Sequence, residues 1–109
     1  MPVKHNTYFE GAVQSLGLPT ERARATVGVI EPGGEYSFAA AEEEHLRVLE
    51  GTFRFCPDGG EWRDYVPDQI CTIPAGTHFK IAAGERPVAY ICYYYPKVQS
   101  GPDPSSASS

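Results

Sequence analysis

Turn signals interrupt this sequence about every 8–12 residues, and this spacing constrains the fold more than any other feature. They are the glycine- and proline-rich clusters at 32–34, 57–60, 74–76 and 84–87, together with Gly51 and the Pro67-Asp68 pair. The stretches between them are too short for packed helices and are rich in β-branched and aromatic residues, which favour strands. The pattern therefore predicts an all-β protein in which about eight short strands form a small sandwich or barrel.

The predicted strands are the β-rich runs between these turns, some of which also show alternation of apolar and polar side chains. They cover residues 24–30, 35–38, 45–48, 52–56, 61–66, 69–73, 78–81 and 88–95. One helix-like piece, residues 39–44, is rich in alanine and about one turn long. We expect a single barrel with an N-terminal arm over residues 1–96 and a disordered Ser/Pro-rich tail over residues 97–109.

The charge and the cysteines narrow the range of partners. The formal net charge is −5 and no basic stripe is present, so a nucleic acid polymer is not an expected partner. No apolar run reaches the roughly 18–20 residues of a membrane-spanning helix, and the N-terminus lacks the apolar core of a signal peptide. Cys56, Cys71 and Cys92 show no zinc-ligand spacing, and we expect reduced thiols in a cytoplasmic protein.

Two motifs are spaced in a way that points to one kind of barrel. Glu44 and Gly51 form the first motif, and Pro74 and Gly76 follow about 20 residues later. This arrangement resembles the two motifs of a cupin. It predicts a single-domain cupin, which is a double-stranded β-helix that forms a jelly-roll-like barrel.

The usual metal-binding positions of a cupin hold other residues here. Cupins usually bind a metal through two His and a Glu in the first motif and a third His in the second. The paired-His window falls on residues 37–40, Ser-Phe-Ala-Ala, and the last His position holds Phe79. His78 is one residue away, and such a shift turns a strand side chain to the opposite face. We therefore expect no metal; the alternative is a metallo-cupin with His78 as a ligand.

Strand alternation predicts what lines the barrel instead. With Glu44 pointing inward, His45 beside it points outward. In the same way Phe79 is inward and His78 outward. The cavity would then carry one acid and several aromatic rings, with Arg24 at the barrel rim where its strand begins.

Longer motifs run through most of the chain. Residues 8–17 read Tyr-Phe-x-Gly-x-Val-x-Ser-Leu-Gly, and residues 24–29 read Arg-Ala-Thr-Val-Gly-Val. These motifs resemble the pyrimidine/purine nucleoside phosphorylase family, and the resemblance covers about residues 6–95. The sequence departs from the family near Tyr93, where a basic residue is expected. Further matching positions are Gly34, Glu35, Tyr36, Phe38, Glu42, Glu43, Glu44, Gly51, Trp62, Pro74, Tyr90 and Cys92.

This resemblance implies a small metal-free cupin that cleaves nucleosides with inorganic phosphate as co-substrate. The products would be the free base and α-D-ribose 1-phosphate. Such enzymes accept both purine and pyrimidine ribonucleosides, so we expect broad specificity and no cofactor.

The residues offer a candidate for each part of this chemistry. Arg24 is the candidate for phosphate, because its planar guanidinium binds two oxygens at once. Glu44 is the candidate for the ribose hydroxyls and the oxocarbenium-like transition state. His78, a tyrosine hydroxyl or water would give a proton to the leaving base. The candidates for stacking on the base are Tyr36, Phe38, Phe79 and Tyr90.

Two further expectations concern function and assembly. A non-catalytic cupin that binds a nucleoside or a sugar ligand for regulation would have the same aromatic, metal-poor cavity. A small barrel with exposed edge strands tends to cover them, and two-fold dimers are the commonest solution, so we expect a homodimer.

Overall fold

The computed structural model describes residues 4–18 and 24–96. No α-helix occurs in these two ranges, so the all-β prediction is confirmed. The elements are β1 Lys4–Tyr8, a 3-10 turn Phe9–Gly11, β2 Val13–Leu18, β3 Arg24–Ile30, β4 Tyr36–Ala39, β5 Glu43–Glu50, β6 Phe53–Pro57, β7 Arg63–Tyr65, β8 Ile70–Ile73, β9 His78–Ala83 and β10 Val88–Tyr95.

Two antiparallel sheets face each other across the core. One sheet has six strands in the order β1-β2-β3-β10-β5-β8, and the other has four in the order β4-β9-β6-β7. From β3 onward the chain crosses repeatedly from one sheet to the other, which is the winding of a jelly-roll-like barrel. The predicted cupin fold is confirmed.

The core lies between the two sheets and draws its largest side chains from both. Phe53 of β6 and four side chains of the six-stranded sheet are each less than 2% exposed and belong to one cluster. The four side chains are Ile30, Val48, Ile73 and Val88. Burial of this apolar area is the main stabilising contribution to the fold.

The turn between β5 and β6 requires glycine. Gly51 has a φ of 82°, which side chains rarely adopt. A Cβ at this position would also lie 2.5 Å from the carbonyl oxygen of Pro87. The glycine of the first cupin-like motif is therefore explained by backbone conformation and close approach, independent of any ligand.

The predicted helix-like piece at residues 39–44 is wrong. Ala39 ends β4, a bend follows, and Glu43 begins β5. The backbone of Ala40 makes two hydrogen bonds to the turn before β9, accepting from Gly76 N–H at 2.7 Å and donating to the Thr77 carbonyl at 2.9 Å. These contacts hold the alanines extended, so tertiary pairing overrides their helix propensity.

The N-terminal strands β1 and β2 form a hairpin that was not predicted from the sequence. β2 pairs with β3 and so extends the six-stranded sheet. The connecting turn is strained at Phe9 and Glu10, which have φ values of 53° and 58° although neither is glycine. Polar residues such as Asn6 and Ser15 face the cavity, and they hide the apolar alternation that identifies a strand.

The C-terminal segment 97–109, expected to be a disordered tail, lies outside the described residues. Within the described part of the chain, no helix has the length and apolarity to cross a membrane. The thiols of Cys56, Cys71 and Cys92 are free.

Candidate active site

A cavity of about 510 Å³ opens between the two sheets, with the β1–β2 hairpin forming part of its wall. Its volume lies in the range of small-molecule sites, roughly 300–1,000 Å³. The buried end is apolar and is formed by Leu46, Phe53, Ile73 and Ile81. The polar and charged side chains that line the cavity include Asn6, Ser15, Arg24, Thr26, Glu42 and Glu44.

Glu44 is a half-buried carboxyl in this cavity. It lies on β5 opposite Tyr94 of β10. The thiol of Cys92 donates a hydrogen bond to its Oε1 at 3.6 Å. Burial raises the pKa of Glu44 above its usual value, and this outweighs the lowering effect of the Cys92 hydrogen bond, while the negative charge of Glu42 raises it further. Glu44 therefore exchanges its proton closer to neutrality than an exposed glutamate does.

Arg24 begins β3 at the cavity mouth, where its side chain is 61% exposed. Its guanidinium forms an ion pair with Glu42 and lies over the ring of Tyr94, with Cζ 4.9 Å from the ring centroid. The Tyr94 hydroxyl is 3.2 Å from Oγ1 of Thr26, which fixes the ring. Burial raises the pKa of Tyr94, so its phenol stays neutral at physiological pH. Arg24 is thus a cation held in a defined place.

Aromatic rings form the wall on the four-stranded sheet. Phe38 of β4 lies opposite Phe79 of β9 in the sheet register. Their ring centroids are 6.2 Å apart and their planes differ by 25°. Tyr8 of the hairpin meets Phe38 edge-on, with centroids 5.5 Å apart. This surface can pack against a flat ring without reading its hydrogen-bonding edge.

Tyr90 lies across the cavity on the six-stranded sheet and is 8% exposed. Its ring covers Gly28, its cross-strand partner on β3. A Cβ at Gly28 would lie 2.4 Å from the Tyr90 hydroxyl oxygen and 2.7 Å from the carbonyl oxygen of Gln14. The missing side chain at Gly28 therefore gives the Tyr90 ring its place in the cavity.

Replacing Gly28 by alanine is expected to displace the Tyr90 ring and lower the melting temperature. Overpacking of this kind costs about 1–3 kcal/mol, because either the ring or the β2 backbone must move. Thermal unfolding followed by circular dichroism measures the effect. Gly84→Ala is the matched control, since a Cβ there meets Thr52 no closer than 3.4 Å. Equal melting temperatures for the two variants would contradict the described packing of Tyr90.

The donor set does not fit the metal site of a cupin. Phe38 and Phe79 stand in the cavity at or beside the positions where cupin histidines are expected. Across residues 4–18 and 24–96, no three His, Cys, Asp or Glu side chains come together in a way that could hold a metal ion. His78, the ligand of the metallo-cupin alternative, is exposed at the start of β9.

The structure brings most of the predicted site residues to this cavity, namely Arg24, Glu44, Phe38, Phe79 and Tyr90. Tyr36 and His78 do not line it. Tyr36 lies two residues before Phe38 on β4, and its ring packs against Phe9 at 5.0 Å instead. His78 precedes Phe79 on β9, so strand alternation turns its side chain away from the cavity.

Several lining residues were not predicted, and these are Asn6, Tyr8, Ser15, Thr26 and Glu42. Asn6 Nδ2 donates a hydrogen bond to Ser15 Oγ at 3.2 Å, which ties the two hairpin strands together at the wall. Tyr8, Ser15 and Thr26 belong to the motifs quoted for the family resemblance, and that signal could have identified them. Glu42 is also one of the positions that match the family, but it lies in an acidic run, and such runs are usually solvated.

Comparison with known proteins identifies the family. The profile described as pyrimidine/purine nucleoside phosphorylase matches residues 3–94. The chain belongs to this family. Curated proteins of that name include one from Anaeromyxobacter sp. strain Fw109-5, which is 37% identical over 93 residues and covers 84% of this chain and 87% of the relative. One from Sorangium cellulosum is 37% identical over 100 residues, with 84% and 98% covered.

Solved structures with a similar fold include two that cover most of this chain. A protein of unknown function from Vibrio parahaemolyticus has a TM-score of 0.80 and 29% identity, covering 86% of this chain and 99% of that one. A DMSP lyase from Ruegeria pomeroyi has a TM-score of 0.76 at 16% identity, covering 91% of this chain and 59% of that one. The second likeness shows the fold alone.

Proposed function

We propose that this chain is a nucleoside phosphorylase, a pentosyltransferase that acts on purine and pyrimidine ribonucleosides. In the reaction, an oxygen of inorganic phosphate bonds to C1′ of the ribose and the glycosidic C1′–N bond breaks. The base leaves with the electron pair of that bond and takes up a proton. The observation that carries the proposal is one cavity in which a positioned arginine, a half-buried carboxyl and an aromatic wall lie together.

Arg24 supplies the site for phosphate. It lies at the mouth, is exposed enough to meet an incoming anion, and is oriented by the ring of Tyr94. A guanidinium binds two phosphate oxygens in parallel, which holds the nucleophile in one orientation. The net charge of −5 does not prevent this, because the contact is local.

Glu44 supplies the group for the ribose. Its ionised carboxylate accepts hydrogen bonds from the sugar hydroxyls and stabilises positive charge on the ring as the C1′–N bond breaks. Partial burial strengthens this interaction, because water screens it less. The same burial raises the pKa of Glu44, so activity should fall as the pH drops through that value.

The aromatic wall supplies the surface for the base. Phe38, Phe79 and Tyr90 present ring faces and edges from both sheets. Every nucleobase has a π-face, whereas hydrogen bonds to base edges discriminate between bases. An aromatic wall therefore favours broad specificity. The free thiols fit the cytoplasmic location that we also propose, and the reaction needs phosphate as co-substrate but no metal or organic cofactor.

The test is a nucleoside panel. Purified full-length protein is incubated with adenosine, guanosine, inosine, uridine and cytidine, with and without phosphate, and free bases are measured by chromatography. We expect base release from both purine and pyrimidine nucleosides that depends on phosphate. Release from none of the five would refute the proposal, and binding without cleavage would identify a non-catalytic nucleoside-binding cupin.

We also propose a homodimer that forms through the outer face of the six-stranded sheet. This face carries large apolar residues that are 39–56% exposed, from five of its strands: Leu16, Val29, Leu49, Ile70 and Tyr93. Two charged groups of this face, Arg47 and Glu43, already have hydrogen-bond partners within the chain, Asp68 and His45. A second copy packed on this face would bury apolar area while Arg47 and Glu43 keep these partners.

Light scattering coupled to gel filtration is expected to give a mass of two chains at micromolar concentration. Leu49→Lys places a charge on the proposed interface and should reduce the mass to one chain. Val66→Lys is the control, because Val66 is 46% exposed but lies in the connection between β7 and β8. A single-chain mass for the unmodified protein would overturn the homodimer.

A further inference from the structure

The guanidinium of Arg24 is occupied within the chain by another anion. Glu42 lies in the bend between β4 and β5, lines the cavity, and forms an ion pair with Arg24. The Glu42 carboxylate is therefore bound to the Arg24 guanidinium, which is the group that the proposed function assigns to phosphate. An anion that binds Arg24 must share the guanidinium with Glu42 or displace it.

Glu42 is not needed to hold Arg24 in place. The Arg24 guanidinium also lies over the Tyr94 ring at 4.9 Å. Tyr94 packs against the core and its hydroxyl is 3.2 Å from Thr26 Oγ1, so this support is part of the sheet itself. Removing the Glu42 carboxylate would leave the cation seated and would expose its hydrogen-bond donors.

We propose that Glu42 occupies the phosphate site of the resting protein and is displaced by inorganic phosphate. This inference rests on the proposed function, and it makes Glu42 a residue that sets the affinity for phosphate. The Glu42 carboxylate is a competitor tethered to the chain, and it must leave the guanidinium before phosphate binds there.

A comparison of phosphate with the Glu42 carboxylate shows why phosphate can replace Glu42 at Arg24. An ion pair at an exposed arginine is weak, because water screens the charges and two long side chains must be held. A phosphate near neutral pH carries up to about two negative charges and has several acceptor oxygens, against one charge on a carboxylate. Phosphate therefore displaces Glu42, although with lower affinity than an unoccupied arginine would give.

The displaced carboxylate stays beside the cavity and close to Glu44. The charge of Glu42 already raises the pKa of Glu44, while Arg24 lowers it. Once phosphate neutralises Arg24, the lowering effect of Arg24 is lost and the raising effect of Glu42 remains. The protonated form of Glu44 is then favoured. Phosphate binding should therefore shift the acidic limb of the pH profile upward, and this shift should be smaller in Glu42→Gln.

Titration calorimetry of inorganic phosphate into the full-length protein tests the proposal without requiring turnover. Glu42→Gln should lower the dissociation constant about three- to tenfold, because an exposed ion pair and one repulsive charge are removed. Glu43→Gln makes the same change in net charge one residue further along, in the pair with His45 on the outer face, and should leave phosphate binding unchanged. A melting curve for each variant confirms that it is folded.

The outcomes separate this inference from the proposed function. If Arg24→Met abolishes phosphate binding but Glu42→Gln binds like Glu43→Gln, the proposed phosphate site stands and the role of Glu42 is wrong. If Glu42→Gln binds phosphate more weakly, Glu42 positions Arg24 instead and the proposal is overturned. If phosphate binds neither the unmodified protein nor Glu42→Gln, both the inference and the phosphate role of Arg24 fail.

Discussion

Replacing Arg24 by methionine should reduce kcat/KM for phosphorolysis at least about a hundredfold. Loss of one charged donor that acts on the reacting group usually has an effect of this size. Methionine keeps most of the side-chain length and its packing over Tyr94, so the barrel should still fold. Initial rates of base release at varied phosphate concentration measure the change, which should include a large rise in KM for phosphate.

Arg47→Met is the matched control for this variant. Arg47 lies on β5, is 51% exposed, and forms a comparable ion pair with Asp68 at 3.0 Å, but it does not line the cavity. We expect it to retain the rate of the unmodified protein. A similar loss of rate in both variants would show that net charge, and not the position of Arg24, accounts for the effect.

Glu44→Gln should also reduce kcat/KM about a hundredfold, while leaving the affinity for phosphate intact or improved. Glutamine keeps the shape of the side chain but cannot stabilise a developing positive charge on the ribose. The rate of the unmodified protein should rise with pH through the raised pKa of Glu44, because the active form is ionised. Glu44→Gln should lack this acidic limb, and pH–rate profiles of both proteins measure it.

The same substitution should stabilise the fold at neutral pH. The folded state raises the pKa of Glu44, so it binds the proton more tightly than the unfolded chain does. Stability is then lost as the pH rises from the unfolded pKa through the folded pKa. Glutamine removes this penalty, and we expect a melting temperature a few degrees higher than that of Glu43→Gln. A lower melting temperature and unchanged activity would show that Glu44 has a structural role.

Much of the barrel was predictable because its signals are local. Glycine and proline mark the turns, and β3 and β10 have the predicted limits because each is a run of β-branched and aromatic residues next to such a turn. Residues 39–44 were misjudged because the extended backbone there depends on hydrogen bonds to the Gly76–Thr77 turn, which is far away in sequence. The β1–β2 hairpin was missed because its inward side chains are polar where they line the cavity.

The site was predictable where one strand alone decides the direction of a side chain. The cupin-like motif supplied an inward Glu44, alternation placed Phe79 inward and His78 outward, and the beginning of a strand placed Arg24 at the rim. Two features depend on contacts between distant elements and could not be read from the sequence. The ring of Tyr36 packs against Phe9 of the hairpin, and the bend before β5 brings Glu42 to Arg24.

The most direct test of this account is the product balance of uridine cleavage, measured by phosphorus NMR together with chromatography of the base. Phosphate should be consumed in a one-to-one ratio with uracil released, and the phosphate lost should appear as α-D-ribose 1-phosphate. No base should form without phosphate, and Arg24→Met should stop both products together. Uracil released with free ribose, or no uracil at all, would contradict the account.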